Sequence, residues 1–210
     1  MKRRFDLTPR LYEALQRFVH RDHKAFAAVV ATWYEPHAPG PALELGCGTG
    51  MLSQFFRPGE YVGCDFDLGR VELARRAHPE HEFVHGDATT LEPEFIARFP
   101  FVLCHAWLHH IADEPFQRIL ERIAAGSRAA NRTIETIIIE PLLPPSVIRN
   151  PVGYLLAKLD RGRYVRSDRE MSRLFGSVPR DAHFHRGPWW WPVAGATYEL
   201  HFDPHSAGTR

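Results

Sequence analysis

The residues of this chain most suited to chemistry begin with Leu43-Glu44-Leu45-Gly46-Cys47-Gly48-Thr49-Gly50 and continue in Val62-Gly63-Cys64-Asp65-Phe66-Asp67. Glycines at 46, 48 and 50 remove side chains where a backbone must turn sharply and approach a ligand closely. Asp65 follows at about the 20-residue distance over which a βαβ unit delivers a carboxylate to a ribose diol. Together they point to a nucleoside-bearing ligand. A pyrophosphate-binding turn wants its third glycine inside the following helix, and Met51 stands there instead. Glu44 would repel a diphosphate, whereas it can hold, through water, the cationic amino group of an amino-acid tail.

Three more stretches follow in order: Phe83-Val84-His85-Gly86-Asp87-Ala88, Phe101-Val102-Leu103-Cys104-His105-Ala106-Trp107-Leu108-His109-His110-Ile111, and Ile137-Ile138-Ile139-Glu140-Pro141. With the glycine turn, they resemble the class I S-adenosylmethionine-dependent methyltransferases. The first resembles the family's third-strand "GDA" element, the second its fourth strand with an "LHH" tail, and the third its fifth strand. The resemblance implies S-adenosylmethionine as cofactor and S-adenosylhomocysteine as product. It implies a cofactor site of Glu44, Gly46, Cys47, Gly48, Gly50, Asp65, Phe66, Asp87, Ala88 and His105. In it Asp65 binds the ribose, Asp87 contacts the adenine amino group and Ala88 offers its backbone. One departure is Pro100-Phe101, where members commonly start the fourth strand with aspartate.

Methyl transfer from a sulfonium is an in-line displacement, so the protein must align a nucleophile and, where it carries a proton, remove it. Trp107 to Glu114 also resembles the "LHDWSDE" segment of small-molecule O-methyltransferases, which implies His109 as general base. His110 replaces that segment's aspartate and Ile111 its tryptophan. Histidine's ordinary pKa, near 6.5, suits proton removal from a phenol or acidic hydroxyl. The alternatives are His110 as the base, or neither histidine, with His109 bonded to a backbone carbonyl. Glu140 can orient a substrate hydroxyl or a histidine, or accept from nearby backbone amides. Trp107, Glu140 and Arg163 make up the substrate side.

The Arg161, Arg163, Arg166 and Arg169 cluster can clamp an anionic substrate group, or pair locally with Asp160, Asp168 and Glu170. No His-x-x-x-His or Cys-x-x-Cys pair is joined by a converging third ligand on an expected scaffold, so no metal is expected. His183 and His185, two apart on one strand, suggest surface chelation only.

These residues need a scaffold, and 210 residues suffice for one α/β domain with a substantial core. The 26 basic and 25 acidic residues leave a formal charge of +1, so no global field favours nucleic acid or an anionic membrane. The expected partner is a small-molecule acceptor, with monomer or homodimer left open. Asn150-Pro151 lacks the prolyl-aromatic pair of base amino-methylating enzymes. Cys47, Cys64 and Cys104 fall on inner strands or turns, as small apolar fillers of a reducing compartment. Charge at Met1 to Arg4 is not followed by an apolar run, and the expected location is cytoplasmic.

The expected fold class is α/β, a doubly wound, mostly parallel sheet with N-terminal lid helices and a C-terminal antiparallel hairpin. Residues 1–40 read as a helical lid, 41–141 as the cofactor-binding core, and 142–205 as a substrate-side segment with an edge hairpin, all in one domain. Tyr12 and Trp33 in the lid touch either ligand or core. Helices are expected at 52–56, 67–77, 93–98, 115–125 and 152–159, and from a capping box at Ser167. Strands are expected at 61–65, 82–85, 101–105, 134–139, 182–190 and 196–202, with 206–210 a disordered tail. Trp189-Trp190-Trp191 alternate between core and surface, with a partner face as the other reading. Competing functions are a dinucleotide-dependent oxidoreductase, disfavoured by Met51 and Glu44, and a non-catalytic nucleoside-binding protein.

Overall fold

The computed structural model describes Tyr34 and residues 40–143, 150–151, 154, 163–176, 178–186 and 194–205. The expected lid helices with Tyr12 and Trp33, the helix expected at 152–159 (Tyr154 excepted), Asp160 and Arg161, Trp189 to Trp191 and the tail at 206–210 lie outside the described residues. The chain comprises two compact units, Met1–Pro36 and His37–Arg210. Among the described residues, no helix is long and apolar enough to cross a membrane.

The second unit is built on a seven-stranded sheet. In chain order the elements are β1 (Ala42–Leu45), β2 (Tyr61–Asp65), α1 (Leu68–Ala77), β3 (Glu82–His85), α2 (Pro93–Ile96), β4 (Phe101–His105), α3 (Asp113–Ala130), β5 (Ile134–Leu142), α4 (Asp168–Phe175), β6 (Arg180–Arg186) and β7 (Ala194–Phe202). The sheet order is β3-β2-β1-β4-β5-β7-β6. The first five strands are mutually parallel, β7 runs antiparallel to β5, and β6 pairs antiparallel with β7 at the edge. Every residue of β1 and β2 is buried, as strands covered on both faces require. Leu43, Leu45, Val62, Cys64, Val102 and Cys104 join one core with Phe116, Ile119, Leu120 and Ile123 of α3. Each fully buried side chain of this size contributes about 1.5–3 kcal/mol.

Local chemistry explains the element ends. Asp67 caps α1 by accepting from Arg70 N, and Ser167 and Glu170 complete the expected capping box on α4. The first turn leads into a 3-10 turn at Ser53–Phe55 and not into an α-helix at 52–56. Pro58 disfavours helix at Arg57, and Gly59 at φ +85 reverses the chain before another turn can form. The helix expected at 93–98 is confined to Pro93–Ile96. α3 runs through Gly126 to Ala130 and stops at left-handed Asn131. Gly126 is tolerated there because a Cβ would lie 2.7 Å from Ile96, so its bareness lets α2 pack against α3. β5 extends beyond 139 to Leu142. Pro141 is accommodated because β4 ends opposite Ile139, so it pairs only with Gly195 on β7.

The three glycines of the first turn do different work. Gly46 and Gly50 have φ of +74 and +76, and an added Cβ would lie 2.5 Å from the Trp107 indole and 2.6 Å from the Phe83 ring respectively. Gly48, at φ +55, faces open space. Gly46→Ala is therefore expected to destabilise the fold by about 2–4 kcal/mol through backbone strain plus overpacking. Gly48→Ala should cost only about 1 kcal/mol of strain yet weaken nucleoside binding. Denaturant midpoints and ligand titrations of the two variants check this; equal midpoints would mean that Trp107 gives way freely.

Candidate active site

Parallel register brings the carboxyl ends of five strands to one edge of the sheet. Leu45 lies beside Cys64 and Cys104, Asp65 beside His85, and His105 beside Ile139. The glycine turn, the segment after β4 and the end of β5 therefore meet there, the position at which doubly wound sheets bind ligands.

On the β1/β2 side the turn is pinned by Gly46 N and Cys47 N, both donating to Cys64 O at 2.8 and 3.1 Å. Asp65 is buried, and its Oδ2 accepts from Gly48 N at 2.8 Å while Oδ1 accepts from Asp67 N at 2.9 Å. One acid thus ties the glycine turn to the start of α1. Phe66 next to it is 72% exposed. His85 Nε2 lies 3.0 Å from Phe66 O, bracing that loop. Asp87 is exposed, its Oδ1 accepting from Thr89 N and Oγ1, and Ala88 is half-buried beside it. Open space at Gly48, an exposed aromatic face at Phe66 and acids on both flanks suit an adenosyl group with a cationic tail.

Glu44 is buried and accepts from the Tyr61 hydroxyl. Burial pushes its carboxyl up to about 7, Asp65 adds to the rise, and the Tyr61 hydrogen bond opposes it. Tyr61, at the start of β2, is a partner that sequence reasoning missed. The signal was available in the register, since Tyr61 and Glu44 stand two positions apart on adjacent strands. Cys47, Cys64 and Cys104 are buried free thiols whose pKa values burial pushes up, that of Cys64 to about 12, so they act as inert packing groups.

The β4/β5 side holds a tighter constellation. Glu140, 3% exposed, points from β5 into the segment after β4. Its Oε1 accepts from Trp107 N at 2.9 Å and Leu108 N at 2.8 Å, and its Oε2 accepts from His109 N at 3.3 Å. Oε2 also lies 2.7 Å from His109 Nδ1, and His109 is 7% exposed. Both roles raised for Glu140 are thus realised by one side chain. A carboxylate accepts only, so Nδ1 carries the proton, and in the neutral ring Nε2 is the basic nitrogen. His110 is exposed, its ring 4.2 Å from that of His109. His105 is half-buried at the end of β4. Ala106 takes a left-handed φ of +51, a strained turn of about 1 kcal/mol, and its N–H is held by Ile139 O at 2.8 Å.

Trp107, expected on the substrate side, packs its indole on Gly46 and the core and props up the glycine turn. The basic turn also divides. Arg163 is exposed, whereas Arg166 is 5% exposed and faces inward. Its guanidinium donates to Leu108 O at 3.0 Å, Ile111 O at 2.7 Å and Asp113 Oδ1 at 2.9 Å, and sits over the Phe116 and Tyr164 rings. Tyr164 N donates to His109 O at 3.0 Å. Arg166 is thus committed to holding the His109 turn. Arg166→Ala should destabilise the protein by about 3 kcal/mol, because it strands the carbonyls of Leu108 and Ile111 and empties a buried site; chemical denaturation measures this.

Residues 42–128 match the family described as "Methyltransferase domain". That match agrees with the motif resemblance and supports a class I S-adenosylmethionine-dependent methyltransferase domain at residues 42–128. Among curated relatives of this chain, the demethylmenaquinone methyltransferase of Paenarthrobacter aurescens is 39% identical over 51 residues, 23% of this chain and 20% of that protein. The 2-phytyl-1,4-naphtoquinone methyltransferase of Thermosynechococcus vestitus is 28% identical over 118 residues, 51% of this chain and 52% of that protein. Among solved structures, the mitomycin 7-O-methyltransferase MmcR superposes with a TM-score of 0.61 at 21% identity, covering 92% of this chain and 58% of that one. The chain thus spans between a fifth and three fifths of the lengths of these proteins.

Proposed function

We propose that this methyltransferase acts on a small molecule at a hydroxyl oxygen, with S-adenosylmethionine as methyl donor and His109 as general base. The observation that carries the proposal is the buried hydrogen bond of 2.7 Å between His109 Nδ1 and Glu140. A carboxylate on Nδ1 fixes the tautomer and stabilises the imidazolium formed when Nε2 takes a proton. The cofactor, when bound, supplies a methyl carbon on a cationic sulfur, open to in-line displacement.

The chain's own residues do the rest. Asp65 takes the ribose hydroxyls, Phe66 packs on the base, Asp87 and Ala88 meet the adenine edge, and Glu44 faces the amino group. Gly46, Cys47, Gly48 and Gly50 form the floor, with His105 beside it. His110 and Arg163 line the acceptor side. Residues 41–141 serve as the cofactor-binding core of a protein whose partner is a small-molecule acceptor.

A second reading, methylation at carbon, is favoured by the two curated relatives, whose names carry demethylmenaquinone and a naphthoquinone. A deprotonated hydroxyarene is nucleophilic at oxygen and at ring carbon, so one base serves both outcomes. Transfer of labelled methyl to a panel of phenols and hydroquinones, with NMR of the product, separates them; an O-methyl ether is expected.

Asp65→Ala is expected to weaken S-adenosylhomocysteine binding about tenfold or more in titration calorimetry. Heat with NAD and none with S-adenosylhomocysteine, on folded wild-type protein, would overturn the cofactor assignment.

A further inference from the structure

The antiparallel end of the sheet carries a second group of ligating side chains, away from the nucleoside end. Asp181 on β6 stands opposite Glu199 on β7, and His201 on β7 stands opposite Glu135 on β5. One ligand atom from each of Asp181, Glu199 and His201 lies within 4.8 Å of the other two. His183 Nε2 is 3.3 Å from Glu199 Oε1, and His201 Nδ1 is 2.5 Å from Glu135 Oε2. We propose that Asp181, Glu199 and His201 bind a divalent transition-metal ion of the zinc type, with His183 within reach as a fourth ligand.

Charge and geometry both favour an ion. Among the described residues no lysine or arginine is ion-paired with Glu135, Asp181 or Glu199. Three carboxylates and two imidazoles therefore share one face, where the like charges of the carboxylates repel one another. A dication removes that repulsion. In a tetrahedral zinc site, neighbouring ligand atoms lie roughly 3.4 Å apart, so small side-chain rotations within the present spread of ligand atoms suffice. Glu135 already holds His201 through Nδ1, the outer-shell arrangement that orients a metal-binding histidine. Nitrogen and oxygen donors without sulfur select zinc, nickel or cobalt over magnesium or calcium.

The place in the fold indicates a role. Glu135 is five residues before Glu140 on β5, roughly 16 Å along the strand, and alternation puts the two on opposite faces. The ion would join the edge strand β6 to β7 and, through Glu135, to β5. It is a staple for β6, the outermost of the described strands at this end of the sheet, and takes no part in methyl transfer. His183 belongs to the pair noted in the sequence, and the side chain of His185 lies outside the described residues.

The test is equilibrium dialysis of chelator-stripped full chain against zinc chloride. One zinc per chain at a dissociation constant of about 10 µM or tighter is expected. Asp181→Asn and His201→Gln should each weaken it by about 100-fold, and Glu135→Gln by about 10–100-fold, with circular dichroism and S-adenosylhomocysteine affinity as wild type. Weaker zinc binding in the wild type, or affinity unchanged in His201→Gln, would overturn the site as adventitious surface chelation. Should His201→Gln not fold, visible absorption of the cobalt-loaded wild type decides: an intense tetrahedral band supports the site, and the weak spectrum of aquo-cobalt overturns it.

Discussion

Alanine in place of His109 is expected to slow methyl transfer by about 100-fold or more and to leave S-adenosylhomocysteine affinity unchanged. The expectation rests on where the ring is held. Glu140 accepts from Nδ1 and from the backbone amides of Trp107, Leu108 and His109, so ring and backbone are positioned by one carboxylate. Alanine removes the ring and its Nδ1 bond to Glu140 but keeps the three backbone bonds to that carboxylate, so the turn is retained and the loss falls on the chemical step. The wild-type rate should climb with pH as the imidazole deprotonates, and that limb should vanish in His109→Ala. Glu140→Gln makes a complementary test. It removes the anion that stabilises the imidazolium formed in the step, so the rate should fall while S-adenosylhomocysteine affinity holds. Wild-type turnover in His109→Ala, with the same acceptor, would take the histidine out of the mechanism and leave the nucleoside site untouched.

How far the sequence announced this site depends on the distance between partners. Elements set by local signals were readable: Asp67 capping α1, the Ser167–Glu170 box on α4, and the apolar runs that became β2 and β4. Where an end depends on a distant neighbour, the local pattern misleads. Gly126 looks like a helix stop until Ile96 is seen to need its missing side chain, and Pro141 looks like a strand stop until β4 is seen to end at His105.

The site divides along the same line. Asp65 announced itself by spacing, whereas Glu140 and His109, 31 residues apart, left both readings of that carboxylate open. Arg166 read as part of a solvated or anion-binding turn. Its true partners, the carbonyls of Leu108 and Ile111, lie more than 50 residues away and carry no sequence signal, since every residue has a carbonyl. Gly46 read as room for a ligand, and part of that room belongs to Trp107.

The second large effect is expected at Glu44, where stability and binding pull in opposite directions. Its pKa is raised from 4.5 to about 7 by burial, so the folded protein keeps a proton that the unfolded chain gives up. Between about pH 4.5 and 7 the unfolded state binds fewer protons, so stability falls as pH rises through that window and the full penalty stands above it. The two values imply about 3 kcal/mol. Glutamine keeps an acceptor for Tyr61 and never ionises. Glu44→Gln should therefore be the more stable protein at pH 8, by roughly 5–10 °C in melting temperature, with little difference near pH 5. Parallel melting curves for the two proteins across that range would dismiss the buried charge as the cause. The same substitution should weaken binding of the cationic amino-acid tail, because a neutral amide offers no charge to it. Binding to wild type should also draw Glu44 into its ionised form and release up to one proton near pH 7. Calorimetry in buffers of different ionisation enthalpy measures that proton directly, and its absence would separate Glu44 from the cofactor.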